Sequence, residues 1–321
     1  MKTMSPDERL TRAKSAGVST LQPMPDQAID ECLAIGGIGR GDIDVVALSR
    51  NLFDYQYFAL SGMFALKQAM YALSGRRRLR FVDNMMHNEG KTDASAVFRS
   101  ELFLAREGFS RARIHFYNHH LAHGLPAYFY SRFDEALIHT ADGLGDRVAY
   151  SARVGRRSGF ELLFGGDECL FEPRESNSLG LLYAAFTLAL GFTPNRHEGK
   201  LVGLAAHGRP VAVERILRSF RVEDSGRIRA DFCKFRKNRS PKRESKEEAI
   251  AICRDLSPSD AAASIQTAVE ILMAQSITAL QKRTGLRNLA AGGGLYANVR
   301  MNRHLFENTA EIGRASCRER V

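Results

Sequence analysis

The chain has 321 residues, 44% of them hydrophobic and 26% charged, with a formal net charge of +10. Those proportions belong to a globular protein with room for two subdomains of ordinary core, and they exclude a disordered or fibrous chain. Residues 1–8 carry no apolar signal-peptide core, and the longest apolar run, 179–192, contains Tyr183 and Thr187 and is too short to span a bilayer. The expectation is a cytoplasmic enzyme with no membrane partner. Its five cysteines (Cys32, Cys169, Cys233, Cys253 and Cys317) form no C-x-x-C pair and read as reduced packing thiols.

In chain order, residues 27–35 predict an amphipathic helix closed by Gly36, Gly37, Ile38 and Gly39, and residues 43–49 a buried strand. Residues 57–73 and 94–107 read as helices. A short strand at 114–117 leads to Asn118, a candidate N-cap, and then to His119-His120-Leu121-Ala122-His123. On a helix, His119 and His123 stand at i and i+4 and leave the same face, where two neutral imidazoles can converge on one metal ion. His120 points elsewhere. The same spacing also suits a solvated helix face, so the pair acquires meaning only from the segment after it.

That segment is an apolar strand at 136–140, then Asp142-Gly143-Leu144-Gly145-Asp146, then a second strand at 147–153. This predicts a hairpin whose glycines permit positive φ and let backbone amides approach a phosphate. Asp142 and Asp146 could hold a metal or orient an attacking group, although an Asp-Gly hairpin is also an ordinary turn. Helices are expected at 179–190, 200–206, 211–219 and 258–284, with Ser178 as an N-cap, Gly180 at a close approach and Tyr183 directed toward a cleft. Glu198-Gly199-Lys200, at a helix start, can bind phosphate through Lys200 and the first-turn amides, or form a surface salt bridge. A strand at 288–292 runs into the turn Gly292-Gly293-Gly294. Strands alternating with helices make the fold α/β.

Taken together and in order, His119–His123, Asp142–Asp146, Ser178-Leu179-Gly180-Leu181-Leu182-Tyr183, the run from Glu198 to Gly208, and Ala291 through Asn298 resemble the nodulation-type O-carbamoyltransferase family. That family carbamoylates hydroxyls of Nod factors, cephalosporins and aminoglycosides. The resemblance implies a two-lobed actin-like ATPase and sugar-kinase (ribonuclease H-like) fold, with residues 1–130 in the first lobe and 131–311 in the second. It implies His119 and His123 as ligands of Fe2+ or a related divalent metal. It makes His120, Asp142 and Lys200 the candidate catalytic groups. Gly143, Gly145 and Asp146 would face the nucleotide phosphates, and Gly292, Gly293 and Asn298 the adenosine end, so that Gly143 and Gly293 line one cleft from opposite lobes. The implied reaction takes a carbamoyl group from a carbamoyl-adenylate, made from ATP and carbamoyl phosphate in a further domain, to an acceptor hydroxyl. Arg196 and His197 replace the acidic pattern usual before Glu198-Gly199-Lys200, and His207 stands where an aromatic residue is usual. Both departures concern substrate preference. Alternatives are a relative of the tRNA threonylcarbamoyl transferases and a nucleotide-binding module without catalysis.

The positive charge is concentrated at 76–80 and 234–243; the second run lacks hydrophobic periodicity and reads as a solvated loop or insertion, and such runs are exposed faces more often than a nucleic-acid surface. They could attract ATP or carbamoyl phosphate. The ends depart from the family pattern. Residues 312–321 back-translate to a common sequencing adapter, and the run Asp7-Glu8-Arg9-Leu10-Thr11-Arg12 lies so near Met1 that the family's first phosphate hairpin is expected to be missing. The third metal ligand is expected in a later Asp-containing glycine turn.

Overall fold

The computed structural model describes residues 25–49, 52–54, 57, 73, 78–80, 98–146, 148–166, 177–230, 241–309 and 314–316. The expected N-terminal run at 7–12, most of the helix at 57–73 and the basic residues 234–240 lie outside them. The chain divides into two compact units, one ending at His119 and the other running from His120 to Arg318. The sequence reading puts the boundary after residue 130.

In the first unit, α1 (Asp26–Gly36) ends as its glycines predict. Gly37 adopts φ 68°, and the amides of Gly37 and Ile38 return to Ala34 and Leu33, which satisfies the last carbonyls of the helix. Strand β1 (Val45–Ser49) is followed by β2 (Leu52–Asp54) and β3 (Arg78–Arg80), which pair antiparallel. After α2 (Ser100–Arg106), β4 (Arg113–Tyr117) runs parallel to β1, with Val46 opposite Ile114. Only Val46 of β1 is buried, so it is not the fully covered strand that its apolar run suggested. Val46 packs with Phe98, Phe103, Phe109 and Phe116 in this unit's core.

The second unit opens with α3 (His119–Phe129), whose first residue is the boundary residue, and continues with the antiparallel strands β5 (Glu135–Gly145), β6 (Val148–Arg156) and β7 (Gly159–Phe164). Then come α4 (Leu179–Ala189), α5 (Glu198–Leu204), α6 (Val213–Leu217), the β8 (Phe220–Val222) and β9 (Ile228–Ala230) hairpin, and α7 (Pro241–Cys253). Pro241, Lys242 and Arg243 thus open a helix rather than a loop. The 27-residue α8 (Pro258–Thr284) matches its sequence signals at both ends: Ser257 accepts the Asp260 amide at 3.1 Å, and Gly285 closes it at φ 70°. Strand β10 (Leu289–Gly292), α9 (Val299–Asn308) and β11 (Arg314–Ser316) complete the described elements.

The sheet order is β7-β6-β5-β10-β11, with β10 and β11 parallel to β5 and the other pairs antiparallel. Alternation along β5 sorts its side chains by face. Ala136 and Ile138 pack with Ala127, Tyr128 and Ala290 beneath α3. Leu137 and Ala141 belong to the large core that α4, α6, α7 and α8 cover from the other face. A Cβ on Gly124 would stand 2.8 Å from Ile138 Cγ2, so the glycine lets α3 lie close on β5. The apolar run at 179–192 is accordingly a buried helix, and no helix among the described residues is long and apolar enough to cross a membrane.

Candidate metal centre

The start of α3 and the end of β5 bring three metal-type donors together. One ligand atom from each of His119, His123 and Asp142 lies within 4.8 Å of the others, and all three residues are partly buried. His123 Nε2 is 3.5 Å from Asp142 Oδ2. Two ligands each about 2.1 Å from one tetrahedral ion sit about 3.4 Å apart, so the His–Asp spacing already fits a shared cation. Two imidazoles, one carboxylate and open positions suit a divalent transition metal. Sequence reasoning named both histidines as ligands, offered Asp142 either as a metal holder or as a catalytic group, and from the family resemblance sought a carboxylate ligand later in the chain. The structure places the Asp142 carboxylate beside the two histidines.

Asp142 is not in the turn. Strand β5 continues through Gly145 with a bulge between Ala141 and Gly145, and neither Gly143 nor Gly145 has positive φ. The left-handed residue is Asp146, at φ 46° and 8% exposed. This corrects the expected phosphate hairpin: the glycines here are strand residues, and the hairpin reverses beyond them. The Asp142 Oδ1 accepts the Gly143 amide at 2.7 Å, which leaves Oδ2 toward His123.

Gly292, Gly293 and Gly294 lie against this group, each by necessity. A Cβ on Gly292 would be 2.6 Å from the His123 carbonyl oxygen, on Gly293 2.4 Å from the Ala141 oxygen, and on Gly294 2.8 Å from Asp142 Oδ1. Gly293 also needs its φ of 97°. Gly143 in β5 and Gly293, directly after the neighbouring β10, therefore belong to one unit, not to opposite lobes. On the other side, α4 closes in as its sequence predicted. Ser178 Oγ accepts the Leu181 amide at 3.0 Å as N-cap, and a Cβ on Gly180 would be 3.0 Å from both Asp142 O and Gly143 N.

His120 takes no part in the group. It is fully buried, with Nδ1 2.7 Å from Thr140 Oγ1 and Nε2 2.8 Å from the Val148 carbonyl oxygen. A carbonyl only accepts, so Nε2 carries a proton and both ring nitrogens are committed to fastening α3 to β5 and β6. A proton-transfer role requires a ring nitrogen open to substrate, which this geometry does not offer. Lys200 stands on α5 with its ammonium 5.8 Å from the Phe192 ring centre, and Glu198 accepts the Asn195 amide. Asn298 is 9% exposed, and its side chain is already used: Oδ1 caps α9 by accepting the Met301 amide at 3.0 Å, and Nδ2 donates to Gln266 at 2.8 Å. Tyr183 points inward and donates to the same Gln266 oxygen at 2.9 Å; burial raises its pKa to well above the usual phenol value.

His139 went unremarked in the sequence. It is buried on the face of β5 opposite α3, with Nδ1 2.7 Å from the Tyr296 hydroxyl and Nε2 without a partner. Burial lowers its pKa to about 3, so it is neutral. Its signal was a lone polar residue in an apolar strand, which does not by itself distinguish a packed histidine from a ligand.

A sheet flanked on both faces by helices, with two imidazoles and a carboxylate at one strand end and a glycine turn against them, defines an α/β domain with a candidate metal-ligand group. The chain belongs to the carbamoyltransferase N-terminus family, whose pattern it matches over residues 5–311. It is 28% identical to the nodulation protein NolNO of Sinorhizobium fredii over 94% of this chain and 40% of that one. It is 29% identical to an uncharacterized protein of Methanocaldococcus jannaschii, over 74% of this chain and 39% of the relative, and 28% identical to one of Synechocystis, over 94% and 48%. The chain thus spans less than half the length of these relatives. It is also similar to the HypF structure of T. kodakarensis at 15% identity and a TM-score of 0.39, over 79% of this chain and 41% of that one.

Proposed function

We propose that the chain is the transferase domain of an O-carbamoyltransferase acting in the cytoplasm. The reaction takes a carbamoyl group from a carbamoyl-adenylate, built from ATP and carbamoyl phosphate, to a hydroxyl of a small molecule or glycan. The acceptor oxygen forms a bond to the carbamoyl carbon, the mixed-anhydride C–O bond breaks, and AMP leaves as the hydroxyl gives up its proton. The observation that carries this reading is the convergence of His119, His123 and Asp142 beside the Gly292–Gly294 turn in a chain of this family. The three side chains would hold Fe2+ or a related ion, which when bound supplies a Lewis acid for a phosphate or carbamoyl oxygen. Asp142 fixes the carboxylate edge of the site through its bond to the Gly143 amide. The order β7-β6-β5-β10, an antiparallel meander continued by a parallel strand, supports a ribonuclease H-like core of the actin-like class.

Nucleotide binding tests the reading. A Cβ on Gly143 meets only Leu181 Cδ2, at 3.8 Å, so a side chain there leaves the fold intact. The chain should bind ATP at one saturable site in the presence of Co2+ or Fe2+, and Gly143→Val should weaken that binding about tenfold or more while unfolding is unchanged. Absence of saturable ATP binding, or an affinity indifferent to Gly143→Val, counts against it.

A further inference from the structure

Ser178 sits at the start of α4, outside the metal-type triad, yet its hydroxyl engages the peptide after Asp142. The single proton of Ser178 Oγ is shared between the carbonyl oxygens of Gly143, the nearer acceptor, and of Asp142, at 3.1 Å, so it holds the peptides on both sides of Gly143, while its lone pair accepts the Leu181 amide at 3.0 Å. The residue is 2% exposed, so water does not compete for these bonds. The same peptide is pressed from α4 by Gly180, whose Cβ position lies 3.0 Å from Asp142 O and Gly143 N. In the turn after β10, Gly294 faces the carboxylate itself, its Cβ position lying 2.8 Å from Asp142 Oδ1. Because Oδ1 is tied to the Gly143 amide, the plane of that peptide sets the direction of the carboxylate, and so where Oδ2 stands relative to His123.

We infer that Ser178 is a positioning residue for the metal site: its side chain locks the Asp142–Gly143 peptide and thereby aims Asp142 Oδ2 at the space shared with His119 and His123. This rests on the reading of those three residues as metal ligands. A carboxylate ligand gains affinity when its orientation is fixed before the metal arrives, and removing such an outer partner typically weakens binding about 10- to 100-fold. A role confined to capping would instead appear only in stability. Ser257 provides the control, since it caps α8 in the same way, accepting Asp260 N at 3.1 Å, and has no contact with Asp142 among the interactions described for it.

Titration of the 321-residue chain with Co2+, followed by its visible ligand-field absorption and by equilibrium dialysis, separates these roles. Ser178→Ala should raise the Co2+ dissociation constant about tenfold or more and alter the absorption band, and Ser257→Ala should change neither while costing similar stability. Gly294→Ala, which crowds Oδ1 from the opposite side, should weaken Co2+ as well. Wild-type affinity and spectrum in both Ser178→Ala and Gly294→Ala would overturn the positioning role and leave the metal reading standing. A wild-type chain whose Co2+ binding is absent, or indifferent to His123→Ala, would overturn the metal reading and the positioning role with it.

Discussion

Gly292 has no side chain where His123 passes: a Cβ there would lie 2.6 Å from the His123 carbonyl oxygen and 3.1 Å from its carbonyl carbon. The end of β10 is therefore seated against the backbone of the helix turn that presents the metal-type imidazoles. The glycine turn read in the sequence as a nucleotide contact is at the same time the abutment of that helix.

Gly292→Ala should consequently act at a distance from its own strand. The clash is with backbone, which cannot rotate away, so either α3 or β10 must shift, at a cost of about 2 kcal/mol. Gly143→Ala, which meets only a leucine methyl at 3.8 Å, should stay within about 0.5 kcal/mol of wild type. Urea unfolding of the two variants measures the contrast. Equal stability would mean that α3 is not seated as described.

His120 and His119 of α3 should separate cleanly. His120→Ala leaves Thr140 and the Val148 carbonyl oxygen without their buried partner and opens a cavity, which together cost about 3 kcal/mol. His119→Ala should leave stability within about 0.5 kcal/mol, because the side chain is only partly buried. Thermal unfolding of the pair decides this, and a His120→Ala chain as stable as wild type would contradict the buried tie.

Stability should fall in acid through His139. Its folded pKa of about 3 lies below the ordinary 6.5, so the unfolded chain takes up a proton that the folded chain refuses. The contribution is complete above about pH 6.5 and is lost as pH falls toward the folded value, at up to about 1.4 kcal/mol per pH unit. Between about pH 7 and about pH 5 the wild type should lose about 2 kcal/mol more than His139→Gln. Parallel urea curves at the two pH values give the comparison, and identical losses would show that His139 titrates normally in the folded chain.

Asn298 and Gln266 should behave as one unit. Asn298 Nδ2 donates to Gln266 Oε1 at 2.8 Å, and Gln266 Nε2 donates back at 3.2 Å while also reaching Glu270 at 2.8 Å. Asn298→Ala removes a helix cap as well and should cost about 2 kcal/mol. The double variant with Gln266→Ala should cost about 1 kcal/mol less than the sum, since the amide pair is lost only once. Strict additivity in a double-mutant cycle would show that the pair is not coupled.

The elements most legible in the sequence were those with punctuation. The helix read at 258–284 is α8 as observed, and the glycines after Ile35 placed the end of α1. Ser178 and Gly180 were legible too, because a cap and a close approach leave local residue signatures. The turn expected at Asp142 and Gly143 was misplaced because an Asp-Gly sequence marks a turn in most hairpins. Here a bulge keeps the strand going to Gly145, and the reversal falls on Asp146 instead. The surroundings of His120 and Asn298 were hidden for a different reason: polar residues beside a candidate site look functional, and only tertiary contacts show which of their donors and acceptors are engaged. The seating of the glycine turn on His123 links residues far apart in the chain, so no local pattern could have announced it.

Metal content tests the account most directly. The chain, purified anaerobically and equilibrated with Fe2+, should retain one ion per molecule by elemental analysis. His119→Ala, His123→Ala and Asp142→Ala should each lose most of it, and Lys200→Ala, which stands over Phe192 on a separate helix, should keep it. Equal iron in all of these chains, or none in the wild type, would contradict the assignment of His119, His123 and Asp142 as a metal centre.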